Sequence, residues 1–324
     1  MKIALANIYS EPYGDRRTSG LITSAIYLSK YGFAPVAFGK PQNSHMAGWT
    51  YIQSFDELND YDFIIFSSAG SGTDVKKGPW WREELNKIKT PFAVQAHSEL
   101  DEGTMAYKEE FFSHPMCRLF LPIASNIWKV MPDIPTHVYL AHQSSITIKK
   151  YRKENILASP SRLTSTKRIK EFVSKAKDLK SIGYKTKVWG SEASYFYTKD
   201  LKEINAGHWS YEGMFGQKDL DDILKNVKYH WNCRSFRKKH KFSPRLEIAT
   251  IEALERSCIP IVEKDSTPKE YHDFLITHDT KINNGDFIDK IKSNFGDAEK
   301  CVEIFNKKHR NKEKLLKEKI RLYL

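Results

Sequence analysis

Short apolar runs alternate with stretches of helical periodicity along the chain, and this alternation restricts the possible folds more than any other feature. In the first half a helix is predicted over 21–31, and the apolar runs lie at 3–7, 35–38, 62–67, 92–95, 119–122 and 136–140. In the second half helices are predicted over 167–182, 220–226 and 246–256, and the runs lie at 156–159, 186–189, 229–232 and 259–262. Apolar strands of this length, separated by helices, indicate parallel sheets that helices cover on both faces. The sequence therefore predicts an α/β fold of two Rossmann-like, doubly wound domains that face a cleft.

The two series of strands meet at a hinge predicted near residues 145–155. This places one domain over 1–150 and a second over 151–300. A long basic helix is predicted from 297 to 324, and its part over 301–324 can cross back to the first domain.

Composition excludes several classes of protein. The longest apolar runs, such as 63–66 and 119–123, are far shorter than a membrane span, and the N-terminus turns polar too early for a signal peptide. The four cysteines form no Cys-x-x-Cys pair, so we expect no metal site and a reducing compartment. These features predict a cytoplasmic protein without stable membrane insertion.

A segment rich in cationic and hydroxyl side chains follows the strand predicted at 156–159, the first strand of the second half. Arg162 and Lys167 bracket the hydroxyl residues Thr164, Ser165 and Thr166. Backbone N–H groups and the dipole of a following helix would make this segment an anion site. Two cations add the charge that holds a diphosphate and stabilises it as a leaving group. An ordinary capped helix with surface cations is the alternative interpretation.

Two glutamates lie in the predicted helix over 246–256, which follows Pro244 and precedes the strand at 259–262. Glu247 and Glu252 are five residues apart, so on a helix they would be separated by about 140° and would need separate roles. A carboxylate near a helix N-terminus can accept two hydrogen bonds from a ribose diol. The alternative is a pair of solvated glutamates on an amphipathic helix.

A candidate general base lies at the end of the predicted strand at 92–95. His97, Glu99 and Asp101 follow that strand, and any of the three could deprotonate an acceptor hydroxyl. Asp15, in a loop over 13–20 that can close over a sugar or an acceptor, is a fourth candidate. That loop lacks the Gly-x-Gly-x-x-Gly spacing, so it does not indicate a dinucleotide site.

The net charge of +12 favours polyanionic partners, although a merely soluble basic protein would show the same value. A basic run lies just before the two glutamates, with Trp231 and Phe236 interleaved. It can hold phosphates and stack on bases, or it can be a solvated loop. Its cations are Arg234, Arg237, Lys238, Lys239 and Lys241, with His240 among them.

These motifs resemble those of GT-B glycosyltransferases. Glu252 followed by Ile259-Pro260-Ile261-Val262 resembles their donor-binding helix and the strand after it. The spacing of Glu247 and Glu252, and Arg162 followed by residues 164–167, resemble the DNA α-glucosyltransferases of T-even phages. Residues 54–62 resemble a stretch of the phage DNA β-glucosyltransferases. The Glu-x7-Glu motif of many retaining members is absent, because Pro244 occupies its first position, so the stereochemistry stays open.

The resemblance implies a role for each motif. Residues 1–150 would bind the acceptor and 151–300 a UDP-sugar donor. Arg162, Thr166 and Lys167 would hold the diphosphate, and Glu252 the ribose. Glu247 would face the sugar or the phosphate-binding cations, and the base would be His97 or Glu99. Residues around Gly190, Gly213 and Met214 would hold the uracil. A divalent metal is compatible with such a site but not required.

The activity implied is transfer of glucose or arabinose from a UDP-sugar to 5-hydroxymethylcytosine in duplex DNA, in the cytoplasm of a host bacterium if a phage encodes the chain. Two alternatives remain. One is a GT-B transferase of surface polysaccharide or lipopolysaccharide, and the other is a catalytically inactive module that binds sugar nucleotides or nucleic acid. Intact Arg162, Lys167 and Glu252 argue against the inactive module.

Overall fold

The computed structural model describes residues 1–7, 27–38, 48–66, 73–74, 78–79, 81–96, 110–122, 133–139, 145–191, 195–216, 219–234, 245–279 and 284–324. Two compact units divide the chain. The first comprises Met1–Ser144 together with Asn311–Leu324, and the second comprises Ser145–Arg310. The C-terminal segment therefore belongs to the first unit from Asn311 onward.

The first unit contains a six-stranded parallel sheet. Its strands are β1 Ile3–Asn7, β2 Phe33–Phe38, β3 Thr50–Ile52, β4 Phe63–Phe66, β7 Phe92–Ala96 and β8 Cys117–Pro122, and a separate antiparallel pair is formed by β5 Thr73–Asp74 and β6 Gly78–Pro79. The strands of the sheet lie in the order β3-β2-β1-β4-β7-β8. Numbered along the chain within this sheet, that order is 3-2-1-4-5-6, the Rossmann arrangement. Leu5 of β1 lies opposite Pro35 of β2 and Ile65 of β4.

Apolar side chains of the strands form the core of this unit, because the sheet is covered on both faces. Leu316 and Ile320 of the last helix pack in this core against residues such as Leu5 and Phe33. A 3-10 helix over Phe55–Asp60 begins with a capping box, in which Ser54 and Glu57 bond each other's backbone N–H groups. Residues 27–29 are helical, within the helix predicted at 21–31, and helix α1 spans Trp81–Leu85.

The strand predicted over 136–140 is not formed in the described residues 133–139. Thr136 makes one isolated parallel bridge to Phe120 of β8. The backbone N–H groups of His137 and Tyr139 donate to carbonyls of β8, each at 2.9 Å. Pro122 of β8 has no N–H to donate back to this segment, so the segment lies along the sheet without completing a ladder.

The second unit contains a second six-stranded sheet, and all its strand pairs are parallel. Its strands are β9 Glu154–Pro160, β10 Lys185–Trp189, β11 Trp209–Tyr211, β12 Val227–Asn232, β13 Ile259–Glu263 and β14 Ile276–His278. They lie in the order β11-β10-β9-β12-β13-β14, the same arrangement as in the first unit. The core includes Leu157 of β9, Val188 of β10 and Trp231 of β12. The helices are α2 Ile169–Ser174, α3 Ala176–Ser181, α4 Tyr195–Glu203, α5 Leu220–Leu224, α6 Ile248–Glu255, α7 Asn284–Lys292 and α8 Ala298–His309, and α9 Lys312–Arg321 follows in the first unit.

Three predicted helices differ in extent. The helix expected over 167–182 is a 3-10 turn over Ser165–Lys167 followed by α2 and α3, with Arg168 in the left-handed region at φ 51°. The helix expected over 246–256 begins at Ile248, and Glu247 is its N-cap with extended backbone. The long C-terminal helix is two helices, because Asn311 takes a left-handed conformation at φ 63°.

In the part of the chain that the structure describes, no helix is both long and apolar enough to cross a membrane. The four cysteines are buried and free.

Candidate functional site

The carboxyl edge of the second sheet contains a topological switch point between its two central strands. From β9 the chain proceeds to β10 on one side, whereas β12 proceeds to β13 on the other. Open α/β sheets bind ligands in the crevice outside such a point. Lys167 follows β9, Arg234 follows β12, and Glu247 precedes the helix that connects β12 to β13.

These three predicted residues form one charged cluster. Lys167 Nζ lies 3.6 Å from Glu247 Oε2, and Arg234 Nη1 lies 3.4 Å from Glu247 Oε1. The side chain of Glu247 is 21% exposed, that of Lys167 23% and that of Arg234 43%. Burial raises the pKa of Glu247, but the charges of Lys167, Arg234 and Arg245 outweigh it and hold that pKa below its ordinary value. The ionised carboxylate of Glu247 therefore lies between Lys167 and Arg234, and both cations are exposed enough to contact an anion.

His230 lies within β12 next to this cluster. Its side chain is buried, and burial together with the charge of Lys167 lowers its pKa to about 3. The imidazole is therefore neutral at pH 7, and its Nδ1 has no hydrogen-bond partner among the described residues. Sequence reasoning missed His230, although a titratable residue within an apolar strand was visible in the pattern.

Backbone hydrogen bonds fix the segment between β9 and α2, and several polar side chains of this segment are exposed. The N–H of Ser161 donates to the Trp189 carbonyl at 3.0 Å, and the N–H of Leu163 donates to the Ser191 carbonyl at 3.0 Å. Leu163 is buried, whereas Arg162 and Thr166 are exposed. The Thr164 and Thr166 hydroxyls lie 2.8 Å apart. Over the described residues, the Arg162 guanidinium forms no ion pair.

Gly190 and Gly213 meet at the ends of β10 and β11. The N–H of Gly190 donates to the Gly213 carbonyl at 2.9 Å, and the Tyr211 hydroxyl donates to the Gly190 carbonyl at 2.8 Å. Both glycines have positive φ, 141° and 94°. A β-carbon at Gly190 would overlap the carbonyl oxygen of Ser161. Gly190 thus lets this turn pack directly against the segment that carries Arg162.

A pocket of about 300 Å³ opens beside these glycines. Met214, which is 49% exposed, contributes to its wall. The wall combines aromatic and apolar groups with charged ones, including Trp189, Phe215, Lys187, Glu212 and Asp219. Lys187 Nζ lies 3.5 Å from Glu212 Oε1.

Glu252 lies half-buried on α6. Its backbone carbonyl accepts a hydrogen bond from Arg256 Nη1 at 2.9 Å. Because Glu247 is the N-cap with φ −75° and ψ 156°, the expected rotation of about 140° between the two glutamates does not apply. The separate roles inferred for them do not depend on that angle.

A second charged cluster, which the sequence analysis did not predict, begins at Arg168, the residue after Lys167. The Arg168 guanidinium donates to Glu171 Oε2 at 2.9 Å and to Glu263 Oε1 at 3.2 Å. His278 Nε2 lies 2.5 Å from Glu171 Oε1. Burial raises the pKa of Glu263 to about 7 despite the charges of Arg168 and His278, whereas the hydrogen bonds from His278 and Arg168 outweigh burial and lower that of Glu171 to about 2. The adjacency of Arg168 to Lys167 was the available clue.

The remaining predicted site residues fall outside the described residues. They are Asp15, His97, Glu99 and Asp101 among the candidate bases, and Arg237, Lys238, Lys239 and Lys241 of the basic run. Strand β7 is described up to Ala96, immediately before His97. Within the described ranges, no group of three or more His, Cys, Asp or Glu side chains is arranged to hold a metal ion.

Solved glycosyltransferase structures share this architecture over nearly the whole chain. One is an α-glucosyltransferase in complex with UDP and a 13-mer DNA containing a HMU base, with a TM-score of 0.72, 15% identity and 99% of each chain covered. The chain has the GT-B fold. A glycosyltransferase from Rickettsia africae matches with a TM-score of 0.63 and 13% identity, over 99% of this chain and 98% of that one.

AviGT4, a glycosyltransferase involved in avilamycin A biosynthesis, also has this GT-B architecture, with a TM-score of 0.59 and 14% identity over 99% of this chain and 97% of its own. No protein-family model and no curated protein matches the chain. At these identities the similarity establishes the fold.

Proposed function

We propose that this GT-B chain is a glycosyltransferase that transfers a sugar, glucose or arabinose, from a UDP-sugar to 5-hydroxymethylcytosine in duplex DNA. The observation that carries the donor half of this proposal is the pairing of Lys167 and Arg234 with Glu247 at the switch point of the second sheet. Two accessible cations there, with exposed Arg162 nearby in sequence, suit the diphosphate of a nucleotide sugar.

The chemistry explains why cations matter most at this position. When the bond between the sugar and the diphosphate breaks, negative charge develops on the leaving oxygen. Lys167 and Arg162 stabilise that charge more strongly in the transition state than in the bound donor, so they raise turnover as well as affinity. Side-chain cations of this kind can act without a divalent metal, although a metal remains compatible with the proposal.

The remaining contacts to the donor would come from α6 and from the residues after β10 and β11. Glu252 would accept hydrogen bonds from the ribose hydroxyls. The turn formed by Gly190 and Gly213, with Met214 beside the pocket, would hold the uracil, since glycines allow a base to approach the backbone closely.

DNA as the acceptor is supported by charge and by a structural neighbour. The net charge is +12, and an α-glucosyltransferase with the same fold has been solved with UDP and DNA. A hydroxymethyl group on a paired base must leave the stack to reach a catalytic site, so we infer base flipping. His97 or Glu99 would then deprotonate the hydroxyl, and Arg237, Lys238, Lys239 and Lys241 would contact DNA phosphates. Arg234, the first cation of the basic run, pairs with Glu247 and would instead serve the donor diphosphate. DNA as the acceptor also implies a cytoplasmic protein.

Transfer to a surface polysaccharide or lipopolysaccharide is the second candidate. It keeps the whole donor site and changes only the acceptor. Neighbours with the same fold include an enzyme of avilamycin A biosynthesis, so the fold is not restricted to DNA.

Nucleoside mass spectrometry tests the full proposal. Duplex DNA containing 5-hydroxymethylcytosine is incubated with the protein and a panel of UDP-sugars, then digested to nucleosides. The expected result is a glycosylated 5-hydroxymethyl-2′-deoxycytidine, heavier than the unmodified nucleoside by one hexose or one pentose residue. Lys167→Ala should abolish it, whereas Lys177→Ala, at an exposed lysine of α3, should not. If every UDP-sugar leaves the DNA unmodified while sugar is transferred to a polysaccharide acceptor, the DNA proposal is wrong.

Arg162→Ala and Lys167→Ala distinguish donor from acceptor roles. Both substitutions should lower turnover more than they weaken DNA binding, because leaving-group charge grows in the transition state. A loss confined to DNA affinity would assign these residues to the acceptor site.

A further inference from the structure

Arg168 has a backbone conformation that its side chain disfavours. Its φ is 51°, in the left-handed region, which residues with a β-carbon rarely adopt. This residue turns the chain from the 3-10 helix that ends at Lys167 into α2. Strain of this kind persists only where surrounding contacts hold it, and it concentrates at functional sites.

The contacts that hold the Arg168 side chain come from two elements, and a third element supports one of them. Glu171 lies on α2, Glu263 ends β13, and His278 ends β14 and contacts Glu171. Arg168 Nε also lies 3.2 Å from Glu263 Oε2 without forming a hydrogen bond, so that oxygen has no hydrogen-bond partner among the described residues. The arginine side chain is 18% exposed, and that of Glu263 is 11% exposed. An ion pair this buried fixes its partners far better than a surface pair does.

Two hydrogen bonds fix the backbone of Lys167, the residue before Arg168. Its carbonyl accepts from Trp231 Nε1 at 3.4 Å, and its N–H donates to the Thr164 carbonyl at 3.1 Å. On the C-terminal side of Lys167, the chain direction is set by the left-handed backbone conformation of Arg168. If Arg168 relaxed to an ordinary conformation, the ammonium of Lys167 would move away from Glu247.

We propose that Arg168 is the positioning residue for Lys167, and that Glu263, with Glu171, holds Arg168 in its strained conformation so that the diphosphate meets a preorganised cation. This inference rests on the proposed donor site. The titratable and charged groups that face Glu263 are Arg168, Glu171, His278, Asp265 and the buried thiol of Cys233. Because burial raises the pKa of Glu263 to about 7, Glu263 can take up a proton near neutral pH. Its protonation removes one of the two carboxylate charges that hold Arg168.

Two substitutions separate positioning from general stability. Arg168→Lys keeps the positive charge but loses the planar fork that bonds both glutamates. Glu263→Gln keeps the shape and removes the charge. Calorimetry of UDP should show about a tenfold loss of affinity for each variant, since a small displacement of a binding group has large effects. Uridine, which lacks the diphosphate, should bind each variant as it binds the wild type, and Lys177→Ala should behave as the wild type with both probes.

The pH dependence gives a second readout. UDP-glucose is the probe, because its esterified phosphates lack the second ionisation that a terminal phosphate has at about pH 6. Its affinity for the wild type should fall as the pH drops through about 7, where Glu263 takes up a proton. Glu263→Gln should bind at the weakened level throughout, without that step.

The possible outcomes are distinct. If UDP binds the wild type and Lys167→Ala weakens it, but Arg168→Lys and Glu263→Gln bind normally, the positioning role is wrong and the donor site stands. Equal losses for UDP and uridine would indicate general damage and would also contradict the inference. If the wild type binds no UDP, the proposed function fails, and this inference fails with it.

Discussion

The backbone of Gly190 packs so closely against Ser161 that any side chain at position 190 would overlap the Ser161 carbonyl oxygen. Gly190→Ala should therefore displace the segment that carries Arg162. We expect a loss of about 2 kcal/mol or more in the free energy of unfolding, from the overlap and from the positive φ of 141°. Chemical denaturation measures this loss, and calorimetry should show weaker UDP binding by the folded variant.

Gly183→Ala is the matched control. Gly183 also has a positive φ, 83°, but a β-carbon there would meet nothing within 4 Å. Its substitution should lower stability only by the cost of the backbone conformation, about 1 kcal/mol, and leave UDP affinity unchanged. Equal effects of the two substitutions would show that the approach to Ser161 has no bearing on the donor site.

Glu247→Gln should strengthen UDP binding and weaken the fold. The carboxylate pairs with Lys167 and Arg234 and so competes with a diphosphate for both cations. Its neutralisation should raise UDP affinity by about threefold to tenfold, the range expected for partly exposed pairs. Calorimetry with UDP tests this, and weaker binding by a folded variant would instead place Glu247 in direct contact with the donor.

The stability effect of Glu247→Gln has a defined pH dependence. The pKa of Glu247 is lower in the folded protein than its ordinary value, so its ionised form stabilises the fold above that ordinary value. The contribution is lost as the pH falls through the folded pKa. Thermal unfolding of both proteins should differ most near neutral pH and converge in acid. A constant difference at every pH would contradict the electrostatic origin.

Glu252→Ala tests the ribose contact. Removing hydrogen bonds from a charged acceptor should weaken UDP binding by about 1.5–3 kcal/mol. Glu255→Ala, three residues later on α6, is the control, because that carboxylate accepts from Arg256 Nη1 at 3.2 Å and has no proposed ligand contact. If UDP affinity is unchanged in folded Glu252→Ala, another group binds the ribose.

The strands that a sequence predicts well are those whose residues are buried on both faces. Phe63–Phe66, and Ile259–Glu263 as far as Val262, are continuous apolar runs, and each forms an interior strand of its sheet. The edge strands Thr50–Ile52 and Trp209–Tyr211 were not predicted, because three residues with one face exposed give almost no pattern. Long-range pairing, rather than local preference, decides that these short segments are strands.

Helix ends and charge networks cannot be predicted from the local sequence pattern, because they too depend on contacts between residues far apart in the chain. Arg168 takes its left-handed conformation because Glu171 and Glu263 hold its guanidinium, and Glu263 lies 95 residues away in sequence. Lys167 and Glu247 were each predicted from local motifs, but their pairing depends on the packing of β9 beside β12. Residue type and strand order thus predict a candidate site at this edge of the sheet, while the pairing of its charges arises from the tertiary structure.

His97 and Glu99 should differ sharply in their importance for turnover. Both follow β7, whose described part ends at Ala96, and only one side chain can be the base for a given acceptor hydroxyl. Alanine substitution of the base should lower turnover by about 100-fold to 10,000-fold, and substitution of the other should have a much smaller effect. Single-turnover assays with labelled donor measure both. Near-normal turnover of both variants would move the base to Asp15 or Asp101.

The salt dependence of DNA binding separates the two candidate acceptors. The segment from Arg234 to Lys241 contains five Lys or Arg residues and one His in eight positions. The side chain of Arg234 is 43% exposed and lies beside Glu247. If these side chains contact DNA phosphates, binding releases counterions, and the log of the affinity falls with the log of the salt concentration with a slope of about −0.9 per phosphate. Neutralising Arg237, Lys238 and Lys239 together should make that slope shallower by up to about three units.

Donor binding provides the internal control for this experiment, because the triple variant retains Arg162, Lys167 and Glu252 and should bind UDP-sugar as the wild type does. Duplex binding is measured across a salt series for both proteins, with co-sedimentation on anionic vesicles in parallel. A lipid-linked acceptor predicts vesicle binding and no preference for duplex DNA. Vesicle binding together with absent or salt-insensitive DNA binding would therefore assign the chain to a polysaccharide or lipopolysaccharide acceptor. The donor site that we propose in the second unit would be unaffected by that result.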